Sequence, residues 1–241
     1  MSAFDDVWPT ASWLAPTLAR VFGLGLERPE ATTVVVWNHH TEAMIGAPSC
    51  RGSAYFPPPP VIRLERLPGV RVFFLCTGAD QRGGARAYFE TRRAEILALA
   101  DAFAAAGLPS ERLFLAGQSG GATASALALA AEPQRFGGAL LFAMAWRGRG
   151  EGKSRRFRPD PGHDAWVRTQ LSKAERLPGL LVAFRADAWN GPEDLAFLVR
   201  PERDLTLFVP RCPAGHGGAF QGCAVEPVAR AVRDWIAARI P

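Results

Sequence analysis

Lysine is nearly missing from this chain: Lys153 and Lys173 are the only two, so its formal charge of +5 over 241 residues rests on arginine. A nucleic-acid surface would gather those arginines on one face with aromatics between them. The only dense run is Arg147-Gly148-Arg149-Gly150-Glu151-Gly152-Lys153-Ser154-Arg155-Arg156-Phe157-Arg158. It reads as a solvated excursion, with contact to an anionic substrate or surface as the alternative. No nucleic-acid partner is expected. Long apolar runs are also missing: nothing approaches the ~20 continuous residues of a membrane span. The opening Met1-Ser2-Ala3-Phe4-Asp5-Asp6 is acidic and lacks the apolar core of a secretory leader. Cysteine is scarce, at Cys50, Cys76, Cys212 and Cys223 with no CxxC spacing, and the four histidines are scattered apart from His39-His40. No metal or other cofactor is expected from such a set.

Four cysteines allow three full pairings. Joining Cys212 to Cys223 would close a short loop around His216 and leave Cys50 with Cys76. Four buried thiols in a reducing compartment are the alternative. The pairing leans toward a periplasmic or secreted protein whose leader is absent from this sequence, with the cytoplasm as the other reading.

Apolar residues make up 48% of the chain, enough to bury a full core, and the length suits one domain over 1–241. Residues 1–30 form an N-terminal extension in which Trp13, Leu14, Leu18, Val21 and Phe22 predict a short amphipathic helix over Ala11 to Gly25. Strands are predicted at 32–37, 70–76, 113–116, 138–145, 180–184 and 205–209, each an apolar run of strand length. Between them lie the predicted helices: 85–106, an alanine-rich one after Gly121, a piece over 164–177, a stretch near 192–199, and a closing helix with Val228, Val232, Trp235 and Ile236 on its face. The segment Glu42 to Pro60 reads as loop, its prolines as a stiff connector. Residues 147–177 form an excursion near the expected site. This alternation predicts an α/β fold, a mostly parallel sheet covered by helices on both faces.

Sites in such sheets gather at the carboxyl ends of the strands. Gly117-Gln118-Ser119-Gly120-Gly121 sits where an apolar strand gives way to a helix. A nucleophilic serine needs such a strained turn, with small residues two before and two after it. Ser119 needs a base, and the base an orienting acid. Of the four histidines, His216 in Pro213-Ala214-Gly215-His216-Gly217-Gly218 follows the last strand, on a loop whose glycines let the ring approach the serine. Asp187 follows the preceding strand and is the expected acid. Asp194 is its main competitor; Asp160 and Asp164 suit a layout with the acid one strand earlier. His39 and His40 suit a backbone role better than that of base, and His163 is expected in a surface loop. Thr77 to Gly84 lacks phosphate-loop spacing and is taken as wall.

The order Ser119, Asp187, His216 resembles the α/β-hydrolase superfamily over Thr32 to Ile240. Gly117 to Gly121, Phe184 to Asp187 and Gly215 to Gly218 followed by Cys223 look most like its small bacterial esterase-like and dienelactone-hydrolase-like members. The resemblance implies the α/β-hydrolase fold without a large lid domain, and a carboxylesterase-like serine hydrolase acting on a small ester. In it, Ser119 would attack the carbonyl, His216 shuttle the proton and Asp187 hold the imidazole. The oxyanion hole would use the N–H of Gly120 with one from His40 or Thr41. His39-His40 stands where the family has His-Gly. An amide or peptide hydrolase, or a non-catalytic binding protein on the same fold, are the competing readings, and a monomer is the expected state.

Overall fold

β-Branched and apolar runs too short for helices, each closed by glycine, proline or a polar cluster, become the strands of one sheet. A computed structural model describes residues 26, 28–41, 55–80, 83–146 and 161–240. The expected helix over Ala11 to Gly25, most of the loop before Tyr55 and the basic run after Trp146 lie outside the described residues.

The strands are β1 (Thr33–Asn38), β2 (Val70–Leu75), β3 (Leu113–Gln118), β4 (Gly138–Phe142), β5 (Gly179–Val182) and β6 (Leu205–Phe208). They lie in the order β2-β1-β3-β4-β5-β6, every pairing parallel. Burial follows this order. β1, β3, β4 and β5 are buried along their whole length, while β2 and β6 at the two edges have exposed positions.

The helices are α1 (Pro59–Ile62), α2 (Gly84–Ala105), α3 (Gly120–Ala131), α4 (Pro161–Ser172), α5 (Pro192–Leu195) and α6 (Val225–Ala237). Side chains alternate faces along each strand, and the core divides accordingly. Val34, Val36, Leu115 and Leu141 meet Phe89 and Phe103 of α2, Leu127 of α3 and Leu171 of α4. Val35, Trp37, Phe114 and Phe142 meet Val61 of α1 and Val228, Val232 and Ile236 of α6. The alanines of α3 let it lie close on the sheet, and the helix is buried from Gly120 to Leu129.

Two expectations are corrected. Pro59 and Pro60 open α1 instead of ending a loop, because a helix's first turn tolerates residues without an N–H. His163 lies in α4, 4% exposed, stacked 5.3 Å from Phe89 and 5.9 Å from Trp166; the helix begins three residues earlier than its periodicity suggests and turns the ring inward. The stretch near 192–199 is helical as expected, as the single-turn α5 followed by a 3-10 turn at Ala196–Leu198.

Chain order and space part company at β1. The chain passes outward to β2, then returns across β1 to build β3. Loops leaving β1 and β3 at such a reversal diverge and open a crevice at the carboxyl edge. Asn38 pairs with Gly117, so His39 and Ser119 leave the sheet on neighbouring strands.

Candidate active site

Ser119 has φ 57° and ψ −123°, one of three non-glycine residues with positive φ among those described. Such backbone costs about 1–3 kcal/mol and persists only where its surroundings impose it. Here the Ser119 N–H donates to the Phe142 carbonyl at 3.0 Å, and its own carbonyl accepts from Thr123 N–H at 3.1 Å and Ala145 N–H at 3.3 Å. The glycines around it are matters of space. A Cβ on Gly117 would strike the backbone of Gly121 and Ala122, and one on Gly121 would strike the carbonyls of Asn38 and His39. Helix α3 starts directly after the serine, so its unpaired N–H groups and positive dipole end face the same edge.

His216 comes to this edge from the loop after β6. Its Nδ1 lies 2.8 Å from Asp187 Oδ2, and the carboxylate side chain is 0% exposed. An Nδ1–H that donates to a carboxylate leaves Nε2 as the acceptor, the tautomer a general base requires. The second Asp187 oxygen accepts from Trp189 N–H at 2.9 Å, and the Trp189 ring lies 5.7 Å from that of His216. Gln118, the residue before the serine, donates from Nε2 to the His216 carbonyl at 3.1 Å. This bond ties the histidine loop to the elbow. A disulfide between Cys212 and Cys223, Cα atoms 6.2 Å apart, closes the loop. A cavity of about 340 Å³ lined by Gly215, His216, Gly217 and Gln221 opens at its surface.

The other carboxylates are engaged in different work. Asp194 Oδ2 accepts from Gly191 N–H at 3.1 Å, closing the first turn of α5. Asp164 accepts from Trp146 Nε1 at 2.7 Å and pairs with Arg168. Asp160 and Cys50 lie outside the described residues, while Cys76 is not a free thiol.

The loop after β1 packs against the helix that follows the serine. A Cβ on Gly120 would overlap the Thr41 side chain and stand 3.4 Å from Thr41 N, so the Thr41 and Gly120 backbones run side by side. His39 is 1% exposed; burial first, then the nearby Arg92 charge, holds its pKa well below 6.5. His40 stacks on Tyr55 at 5.5 Å with the rings 7° from parallel. Burial, Arg92 and His216 lower its pKa in turn, which places His40 within electrostatic reach of His216.

Arg92, Gln118 and Trp189 are assigned no role from the sequence. Arg92 is 1% exposed. Its signal was available, since it sits four residues after Tyr88 and four before Ile96, within the apolar stripe of α2. Gln118 and Trp189 carry no local pattern that marks them. Among the described residues, no three His, Cys, Asp or Glu side chains gather to hold a metal, and no helix is long and apolar enough to cross a membrane.

No protein-family profile and no curated protein matches the sequence. Solved structures do. Est1E from Butyrivibrio proteoclasticus is 17% identical, with a TM-score of 0.61 over 89% of this chain and 91% of that one. A hyperthermophilic esterase from the archaeon Pyrobaculum calidifontis is 15% identical, with a TM-score of 0.64 over 88% and 79%. Carboxyl esterase 2 from the mycorrhizal fungus Tuber melanosporum is 17% identical, with a TM-score of 0.62 over 87% and 78%. At these identities the likeness speaks to architecture. The parallel sheet with its reversal at β1, the strained serine after β3 and these structural neighbours together show that the chain has the α/β-hydrolase fold.

Proposed function

We propose that this protein is a serine hydrolase that cleaves a carboxylic ester through Ser119, His216 and Asp187. The observation that carries the reading is the His216–Asp187 hydrogen bond at 2.8 Å, made at the sheet edge where Ser119 holds its strained turn. Ser119 Oγ attacks the ester carbonyl while His216 Nε2 takes its proton. Asp187 stabilises the imidazolium that forms. The carbonyl oxygen, now an anion, is met by the N–H of Gly120 and by that of His40 or Thr41. Collapse of the tetrahedral intermediate breaks the bond to the leaving oxygen, which receives the proton from His216. Water, activated by the same histidine, then releases the acid from Ser119.

Support also comes from the neighbours, several of which are named as esterases. Another neighbour, Est1E, is described with ferulic acid bound, so a feruloyl ester belongs in the substrate panel beside short p-nitrophenyl esters. The decisive experiment is labelling of intact protein by a fluorophosphonate, with Ser119→Ala as control. Stoichiometric labelling of the wild type and none of the variant is expected, together with ester turnover. A folded wild type that neither labels nor turns over any ester would refute the proposal.

A further inference from the structure

The chain leaving β1 is gripped from behind. Arg92 Nη2 donates to the His39 carbonyl at 2.8 Å, reaching across 53 positions of sequence. The His39 ring in turn places Nδ1 2.7 Å from the His40 carbonyl; a carbonyl only accepts, so this nitrogen carries the proton. In a trans peptide the N–H points opposite to the C=O. Holding the His39 carbonyl toward α2 therefore turns the His40 N–H away from that helix. Holding the His40 carbonyl toward the His39 ring likewise turns the Thr41 N–H away from that ring. These are the two donors proposed for this side of the oxyanion hole, and Thr41 already lies against Gly120.

Arg92 is an expensive way to fill this space. It is 1% exposed, its Nη1 donates to the Tyr88 hydroxyl at 3.0 Å, and its Nε has no partner. Among the described residues no carboxylate forms a salt bridge with it. Burying a guanidinium on neutral acceptors is unfavourable, and an apolar side chain of similar length would pack there at lower cost. Glu95, one turn along α2, supplies the counter-charge from further away. It also accepts from the Thr77 hydroxyl and, at 2.8 Å, from Gly78 N–H. One turn of α2 thus holds the chain where it leaves β1 and where it leaves β2.

We propose that Arg92, counterbalanced by Glu95, is a positioning residue for the oxyanion hole: by clamping the His39 carbonyl it aims the backbone N–H groups of His40 and Thr41 at the reaction centre. The proposal rests on the serine-hydrolase reading above. Its test compares wild type with Arg92→Met, Arg92→Lys and Glu95→Gln, active sites being titrated by a fluorophosphonate. For each, kcat and KM are measured on p-nitrophenyl butyrate, and Ki on a trifluoromethyl ketone. The ketone adds Ser119 Oγ and forms an oxyanion, so its affinity reports on the hole.

For Arg92→Met, kcat per titrated site falls by about 10- to 100-fold, less than the loss of a whole donor. KM moves by less than about threefold, and Ki rises in step with the fall in kcat/KM. Arg92→Lys keeps part of the activity, and Glu95→Gln lies between it and wild type. A folded, titratable Arg92→Met whose kcat and Ki match wild type, with only its melting temperature lowered, would assign Arg92 to structure alone and overturn the proposal. If Arg92→Met does not fold, the Lys and Gln variants decide by the same measures: unchanged kcat and Ki refute the clamp. A wild type inert toward both fluorophosphonate and ester overturns the hydrolase reading and the clamp with it. An active wild type with unaffected variants overturns the clamp alone.

Discussion

Replacing Asp187 by Asn tests the proposed acid most sharply, because the change keeps shape and removes one function. The side chain is wholly buried, and its two oxygens have different tasks: Oδ2 accepts from His216 Nδ1 at 2.8 Å and Oδ1 from Trp189 N–H at 2.9 Å. An asparagine keeps its carbonyl on Trp189 N–H, because only an oxygen can accept from that donor. Its NH2 then faces Nδ1, which must give up its proton and become an acceptor. The proton moves to Nε2, and the imidazole can no longer deprotonate Ser119. A tautomer change of this kind lowers kcat by about 10⁴, equivalent to about 5.4 kcal/mol of transition-state stabilisation. The assay is steady-state turnover of p-nitrophenyl butyrate, with folding followed by circular dichroism and thermal melting. Little change in fold is expected, because volume and the Trp189 bond are kept. A folded Asp187→Asn within about tenfold of wild type would refute the reasoning, since such a loss is too small for a reversed tautomer. Asp194→Asn serves as the contrast and retains turnover, its carboxylate being occupied with Gly191.

Three other outcomes follow from the packing and the charges. Gly121→Ala sets a Cβ against the carbonyls of Asn38 and His39; backbone cannot step aside, so denaturant unfolding shows a loss at or above the usual ~1–3 kcal/mol of overpacking. The double change Cys212→Ser, Cys223→Ser opens a loop of sequence separation 11 and lowers unfolding free energy by about 3 kcal/mol through the larger entropy of the unfolded chain. A fall of only a few tenths would show that the loop is held by its hydrogen bonds instead. Burial and Arg92 depress the pKa values of His39 and His40 below 6.5, so below that pH the unfolded chain binds more protons than the folded one. Their contribution to stability is complete above pH 6.5 and is lost as pH falls toward their folded values. Melting temperature therefore declines on acidification through this window, and His39→Gln flattens the slope; an unchanged slope would count against it. Glu95, raised above 4.5 by burial, acts in the opposite direction, adding stability as pH falls from its folded value toward 4.5.

Legibility differed between parts of the molecule. The strands were readable because a strand covered on both faces leaves a run of apolar residues, as in Val34-Val35-Val36-Trp37. α2 was readable from Gly107, which stops it, and from the spacing of Phe89, Ile96 and Phe103. Short elements were harder. A single turn such as α1 has too few residues to show a period, and its prolines argue for loop until their place in the first turn is known. His163 misled because Pro161-Gly162 resembles a turn, whereas the helix begins on that proline.

Within the candidate site, Ser119 and His216 stand out in the sequence because each carries its own glycines, and glycine marks a demand of the local backbone. An acid carries no such mark. Asp187 and Asp194 each follow β5 at plausible spacing, and only the fold separates them, by setting one 2.8 Å from His216 and the other on Gly191 N–H. Arg92 belongs with them: its meaning lies in a carbonyl 53 residues away. The sequence by itself determined the alternation of strands and helices, the elbow and the order of candidate groups, because those are written in local pattern and spacing. Tertiary structure decided the strand order, the partner of each carboxylate and the burial of Arg92. These depend on which distant side chains share one low-dielectric space, and no local pattern encodes that.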